Sequence, residues 1–158
     1  NLEVDFFGGE PLLNWDVVKR LVEYGRSQEE AHNKKFRFTI TTNGVLLNDE
    51  IMDFCNKEMS NVVLSLDGRP EVNDYMRPFR NGKGSYDLIV PKFQKFAELR
   101  GDKDYYVRGT FTRRNLCRMN PLPFARKICL RSWRSMTLWR RSTSDGGKRG
   151  EALPSSTL

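Results

Sequence analysis

The sequence predicts an α/β domain built on a parallel sheet with helices packed over it. Three observations carry this. Short runs rich in β-branched and aromatic residues alternate with helical stretches from residue 1 to about 114. Val62-Val63-Leu64 is almost wholly apolar, as expected of a parallel strand covered on both faces. Turn chemistry follows three of the strands, at Gly8-Gly9-Glu10, Thr42-Asn43-Gly44 and Ser65-Leu66-Asp67-Gly68. With right-handed crossovers these three corners share one edge of the sheet. In parallel folds that edge is where ligands sit.

The first strand is Leu2–Phe7. A helix follows from about Asn14 to Glu30, with Asn14 as N-cap, Asp16 at the positive end of the dipole, and Val18, Leu21, Val22 and Gly25 on one face. A second strand spans Phe36–Thr42. The second helix opens at Asn48 with Asp49 and Glu50 in its first turn, and Ile51, Met52, Phe54 and Cys55 form its apolar side. A third strand covers Asn61–Leu66, and a long loop runs from Asp67 to Gly84. The third helix extends from Ser85 to about Leu99. There Pro91 either kinks it or opens its main part, and Phe93 and Phe96 belong to the core. A fourth strand, Tyr105–Phe111, completes the series.

Composition bounds the rest. A chain of 158 residues is one domain at most. No apolar run is long enough for a transmembrane helix, and no secretory signal opens the chain, so a cytoplasmic setting is expected. The start lacks Met and enters a strand at once, which suggests an internal cut with elements missing upstream. Cys55, Cys117 and Cys129 have neither disulfide nor zinc spacing. His32 lies in a polar stretch and is expected at the surface.

The hexapeptide Phe6–Pro11 carries the most chemistry. Two glycines at a strand end let a ligand approach main-chain groups, and Glu10 adds an acceptor-only carboxylate. The pattern suits a small ligand bearing a positive group such as an ammonium. It is neither a phosphate loop nor a dinucleotide fingerprint. Taken singly, Asn43-Gly44 and Asp67-Gly68 are ordinary turn dipeptides. Their joint placement on one edge is what lifts the functional reading.

The tail is different in kind. Residues 1–114 carry 18 Lys+Arg and 18 Asp+Glu, so the whole net charge of +7 lies in residues 115–158. Residues 117–158 show no clean period and crowd Arg, Ser and Trp together. Two readings stand, a disordered basic tail and a reading-frame error. Permitted codons for residues 120–158, read one nucleotide earlier, yield a string with an acidic helix start, an amphipathic helix and a β-rich end. That consistency across levels favours a frame error, and the tail then says nothing about partners.

These stretches resemble radical SAM enzymes that carry an auxiliary-cluster (SPASM) domain. The nearest resemblance is to maturases that cross-link six-cysteine (SCIFF, ranthipeptide) peptides by thioether bonds. The matching residues are 2–18, 36–54, 61–98 and 104–113, with GGEP, TTNG and SLDG followed by an arginine as the specific signal. The resemblance implies a partial (βα)6 barrel over residues 1–116 that binds S-adenosylmethionine at the C-terminal strand edge. In the family a [4Fe-4S] cluster held by C-x-x-x-C-x-x-C cleaves that molecule to a radical, which takes hydrogen from a peptide. By position, Gly8, Gly9, Glu10 and Pro11 match the motif that holds the amino group of the methionine part. Ser65 matches a ribose contact, and Arg77 a residue that meets the methionine carboxylate, a task suited to a guanidinium fork. Asn43 and Asp67 match shell or substrate-side positions.

The cluster motif is absent from this sequence, and none of its three cysteines has the spacing to replace it. No metal ligand or catalytic residue is therefore expected here. The intact enzyme would hold the cluster and take a cysteine-rich precursor peptide, with no nucleic acid or membrane as partner. The rival reading is a nucleic-acid module using the basic tail of residues 117–158, with binding that falls steeply with salt. With about four strands the sheet would also leave open edges, so poor solubility is expected.

Overall fold

The computed structural model describes residues 1–110 throughout, and the backbone of residues 127–131 and 136–140. Strands β1 (Leu2–Phe6), β2 (Phe36–Thr42), β3 (Met59–Ser65) and β4 (Tyr105–Thr110) lie side by side in chain order, all parallel. Helices α1 (Trp15–Gln28), α2 (Asp49–Glu58), α3 (Pro70–Met76) and α4 (Tyr86–Arg100) fill the crossovers. Within the stretch expected to be irregular, β5 (Lys127–Arg131) pairs parallel to β4, and β6 (Met136–Arg140) pairs antiparallel to β5. Strand pairing rests on main-chain hydrogen bonds, and the edge of β4 facing away from β3 is taken up by β5. The other features expected of residues 111–158, including a change of reading frame, lie outside the described residues.

Register separates the two faces of the sheet. Phe38, Ile40, Val62, Leu64, Tyr105 and Val107 share one face and are buried beneath the helices with Val22, Met52, Ile89, Phe93 and Phe96. Asp5, Thr39, Thr41, Asn61, Val63, Ser65, Tyr106 and Arg108 share the other. The third strand was expected to be apolar on both faces, but β3 alternates. Val62 and Leu64 are buried, and Val63 is half-buried on the polar side. A polar inner face is suited to a lumen that holds water or a ligand, since apolar packing would leave these groups without hydrogen bonds.

Two arginines close the opposite, N-terminal edge. Arg26 donates to the carbonyls of Phe36 and Glu58 and to the carboxylates of Glu29 and Glu58. Buried Arg100 donates to the carbonyls of Cys55, Met59 and Asp104. Each donates to main-chain carbonyls near the starts of neighbouring strands.

Asn48 caps α2 as its sequence predicts, its side chain accepting from the Ile51 N–H at 2.9 Å. Asn14 makes no side-chain cap. A 3-10 turn, Pro11–Asn14, precedes α1, and Glu10 caps that turn instead. Leu21, expected on the buried face of α1, lies outside with Leu13, Val17 and Tyr24, while Val18, Val22 and Gly25 face the sheet. The expected loop of residues 67–84 contains α3, with Pro70 in its first turn, a start signal hidden by the surrounding Gly, Asn and Arg. Pro91 does not open α4, because α4 runs from Tyr86 through it, and of the two expected roles only a kink within the helix is left.

Cys55 is buried beneath the sheet, and burial pushes its thiol up to about 12 from an ordinary value near 9.0. It is therefore a core thiol rather than a nucleophile. A pKa raised on folding stabilises the fold fully below the unfolded value and loses that contribution as pH rises through the folded one. Stability is expected to fall between about pH 9 and 12, by at most about 1.4 kcal/mol per pH unit from this group. Denaturant titrations of wild type and Cys55→Ala across that window check it. Equal slopes for the two would remove the thiol as the cause.

Candidate functional site at the C-terminal strand edge

β1 leaves the sheet through two glycines. Gly8 and Gly9 take φ values of +100° and +52°, and a Cβ on either would meet nothing within 4 Å. The backbone conformation requires glycine there, and the space beside the main chain stays open.

Glu10 closes this corner. Its Oε1 accepts from the Leu12 N–H at 3.2 Å and from the Thr42 hydroxyl at 2.7 Å, and its Oε2 accepts from the Asn43 N–H at 2.7 Å. Pro11 follows in the first turn of the 3-10 segment. Thr42 in turn accepts from the Gly44 N–H at 3.0 Å, and Asn43 Oδ1 from the Val45 N–H at 2.9 Å. The carboxylate thus fastens the end of β1 to the end of β2. A carboxylate offers about four lone-pair sites, so three protein donors leave about one for a ligand cation.

A second group stands where β3 and β4 end. Asp67 is buried, and Arg77, the C-cap residue of α3, pairs with it through Nε at 2.8 Å and Nη2 at 3.2 Å. The Thr110 N–H donates to Asp67 Oδ1 at 2.6 Å. The Asp67 N–H donates to Oδ1 of fully buried Asn73, whose amide donates to Asp74 and to the Ser85 hydroxyl. That hydroxyl donates to the Arg77 carbonyl at 2.7 Å. Asp67 therefore joins β3, α3 and β4.

The structure brings Glu10 together with Asn43, beside Gly8, Gly9 and Pro11, and brings Asp67 together with Arg77. Ser65 is buried between the two groups in register, since Leu64 pairs with Thr42 and Ser65 with Arg108. Arg77, expected to meet a ligand carboxylate, closes part of its fork on a protein carboxylate. About three of its five N–H donors remain. Thr42, Asn73 and Thr110 were not among the expected site residues. Thr42 had a signal in the Thr-Thr-Asn-Gly turn, whereas Asn73 and Thr110 meet Asp67 only once α3 and β4 have folded beside it. A fourth missed residue is Arg108 of β4, whose guanidinium lies 4.8 Å from the ring centroid of Phe7.

A family model described as the Radical SAM superfamily matches residues 2–110. An uncharacterized protein of Methanocaldococcus jannaschii is 36% identical over 84 residues, which cover 53% of this chain and 28% of that protein. A cysteine-type anaerobic sulfatase-maturating enzyme of Clostridium novyi is 31% identical over 91 residues, covering 57% of this chain and 24% of that enzyme. The fold also matches the solved structure of native anSMEcpe with bound AdoMet and the Kp18Cys peptide. That match has a TM-score of 0.65 and 21% identity, and covers 75% of this chain and 33% of the other. The chain thus spans about a quarter of the length of these curated relatives. No helix among the described residues is long and apolar enough to cross a membrane.

An iron–sulfur cluster takes several cysteine thiolates. Within residues 1–110 Cys55 is a lone, buried thiol, and among the described residues no group of His, Cys, Asp and Glu could hold a metal ion. These residues do not fit a cluster, and no chemical step is assigned to one.

Proposed function

Because this chain belongs to the radical SAM superfamily, we propose that its C-terminal strand edge holds the methionine part of S-adenosylmethionine. The superfamily takes its name from that molecule and pairs it with a [4Fe-4S] cluster. The observation that carries the reading is the pair of hydrogen-bonded groups on one edge, Glu10 with Thr42 and Asn43, and Asp67 with Arg77 and Thr110. A ligand with an ammonium and a carboxylate on one carbon needs an acceptor and a donor set of this kind. The glycine corner presents open main chain and the remaining Glu10 lone pair to the ammonium. The remaining Arg77 donors suit the carboxylate, with Asp67 holding the guanidinium in place. Ser65 lies between them and suits a ribose hydroxyl.

We infer further that the enzyme matures a peptide, with thioether cross-linking of a cysteine-rich precursor as the specific chemistry. Support for a peptide comes from the sulfatase-maturating relative and from the peptide bound to anSMEcpe. The thioether reading rests on the resemblance of GGEP, TTNG and SLDG together with the flanking residues.

Calorimetric titration of the full chain with S-adenosylmethionine and with NAD tests the first reading. Selective binding of S-adenosylmethionine is expected. Arg77→Ala should weaken it roughly tenfold or more, since a hydrogen bond to a charged group is worth about 1.5–3 kcal/mol. Glu10→Gln keeps the acceptor oxygen near Thr42 and should weaken it by a similar factor through the lost charge. Equal affinity for NAD, or no binding by folded wild type, would overturn the assignment.

A further inference from the structure

We propose that Arg108 is a positioning residue that sets the glycine corner through Phe7, and so fixes the spacing between the two groups at the strand edge. Its bearing on a ligand rests on the S-adenosylmethionine reading above. Its bearing on the corner does not.

Phe7 follows β1, and Arg108 lies on β4, three strands away. Neighbouring strands stand about 4.8 Å apart, so a flat sheet would hold β1 and β4 about 14 Å apart. The guanidinium nevertheless lies 4.8 Å from the Phe7 ring centroid, within cation–π reach. Two long side chains cover part of that gap, and the curl of the sheet covers the rest. Arg108 shares the inner face with Ser65, its register partner. The contact therefore crosses the mouth of the half-barrel.

Phe7 is the last side chain before the two glycines, and neither glycine can hold its own conformation through packing. Glu10 ties the far end of the corner to β2. The Phe7 ring beneath Arg108 ties the near end to β4. The same arginine grips the second corner by its main chain, its carbonyl accepting from the Leu66 N–H at 2.9 Å between Ser65 and Asp67. Arg108 thus reaches both corners, one through its side chain and one through its backbone. A ligand that spans the corners meets a gap set by this residue.

Phe7 is more than half exposed, so truncating it leaves the core intact. The test is amide hydrogen exchange at Gly8, Gly9 and Glu10 in the ligand-free full chain, for Phe7→Leu, Arg108→Met, their double variant and Phe7→Trp. Each single truncation is expected to speed exchange roughly three- to fivefold, the factor that corresponds to a cation–π contact. The double variant should match either single one, and Phe7→Trp should keep the wild-type rate. Unchanged exchange, or a double variant whose effect is the product of the two, would overturn the proposal. S-adenosylmethionine titrations of the same variants separate the two readings. If exchange responds but wild type binds no S-adenosylmethionine, the corner is set by Arg108 and the functional assignment fails. If wild type binds and the truncated variants bind equally well, Arg108 does not fix the spacing and this inference fails.

Discussion

Replacing Gly44 with alanine is expected to cost about 2–5 kcal/mol, a large share of the stability of a domain of this size. Gly44 closes the Thr42-Asn43-Gly44 turn at φ +79°, and a Cβ there would lie 2.2 Å and 2.6 Å from two ring atoms of Phe93. Phe93 has no exposed surface and cannot swing away without displacing its α4 and sheet neighbours. Two costs add. The left-handed conformation costs a residue with a Cβ about 1–2 kcal/mol, and overpacking a filled core adds about 1–3 kcal/mol. Gly101 is the control, with φ +58° but nothing within 4 Å of a built Cβ. Gly101→Ala should therefore show the conformational cost alone. Denaturant midpoints of the two variants of the full chain measure the difference. Equal losses would mean that Phe93 yields and that the clash carries no weight.

The second large effect is expected at Asp67. Its side chain is 2% exposed, carries a two-point pair with Arg77 and accepts the Thr110 N–H. Removing one member of a buried pair typically costs about 3–5 kcal/mol. Arg77 retains 27% exposure, so solvent softens its loss, and about 3 kcal/mol is the expectation for Asp67→Ala. Asp67→Asn keeps an acceptor for the Thr110 N–H and should lose less. If Asp67 orients Arg77 for a ligand carboxylate, the asparagine variant should also weaken S-adenosylmethionine binding beyond its effect on stability. Chemical denaturation and calorimetry on the same samples separate these quantities. An asparagine variant as stable and as tightly binding as wild type would leave Asp67 without the role argued for it.

Much of the scaffold was legible because its signals are local. The β-branched and aromatic run of β2 and the Asn48 cap of α2 stand where their residues predict. The three strand-end corners were legible for the same reason, since glycine, asparagine and aspartate declare turns within a few residues. What stayed hidden was set by contacts distant in sequence. Glu10 caps its own 3-10 turn in place of Asn14 because Thr42 and Asn43 hold its carboxylate in position, and no local rule contains that information. The helix α3 was masked by turn-forming residues around Pro70. Its stability draws on Asn73, which is buried against Asp67 and Ser85. The partnership of Asp67 with Arg77 and the contact of Phe7 with Arg108 depend on α3 and on the curl of the sheet, and neither can be read along the chain.

The guanidinium groups of Arg26 and Arg100 hold the floor of the sheet through main-chain carbonyls, whose chemistry is the same whatever side chain a residue carries. Strand order is thereby secured at the end remote from the glycine and aspartate corners. The upper corners are tied separately, by the carboxylates of Glu10 and Asp67, so rim segments outside those ties can be exchanged without loss of the architecture beneath. A half-barrel secured in this way can change its rim and keep its base.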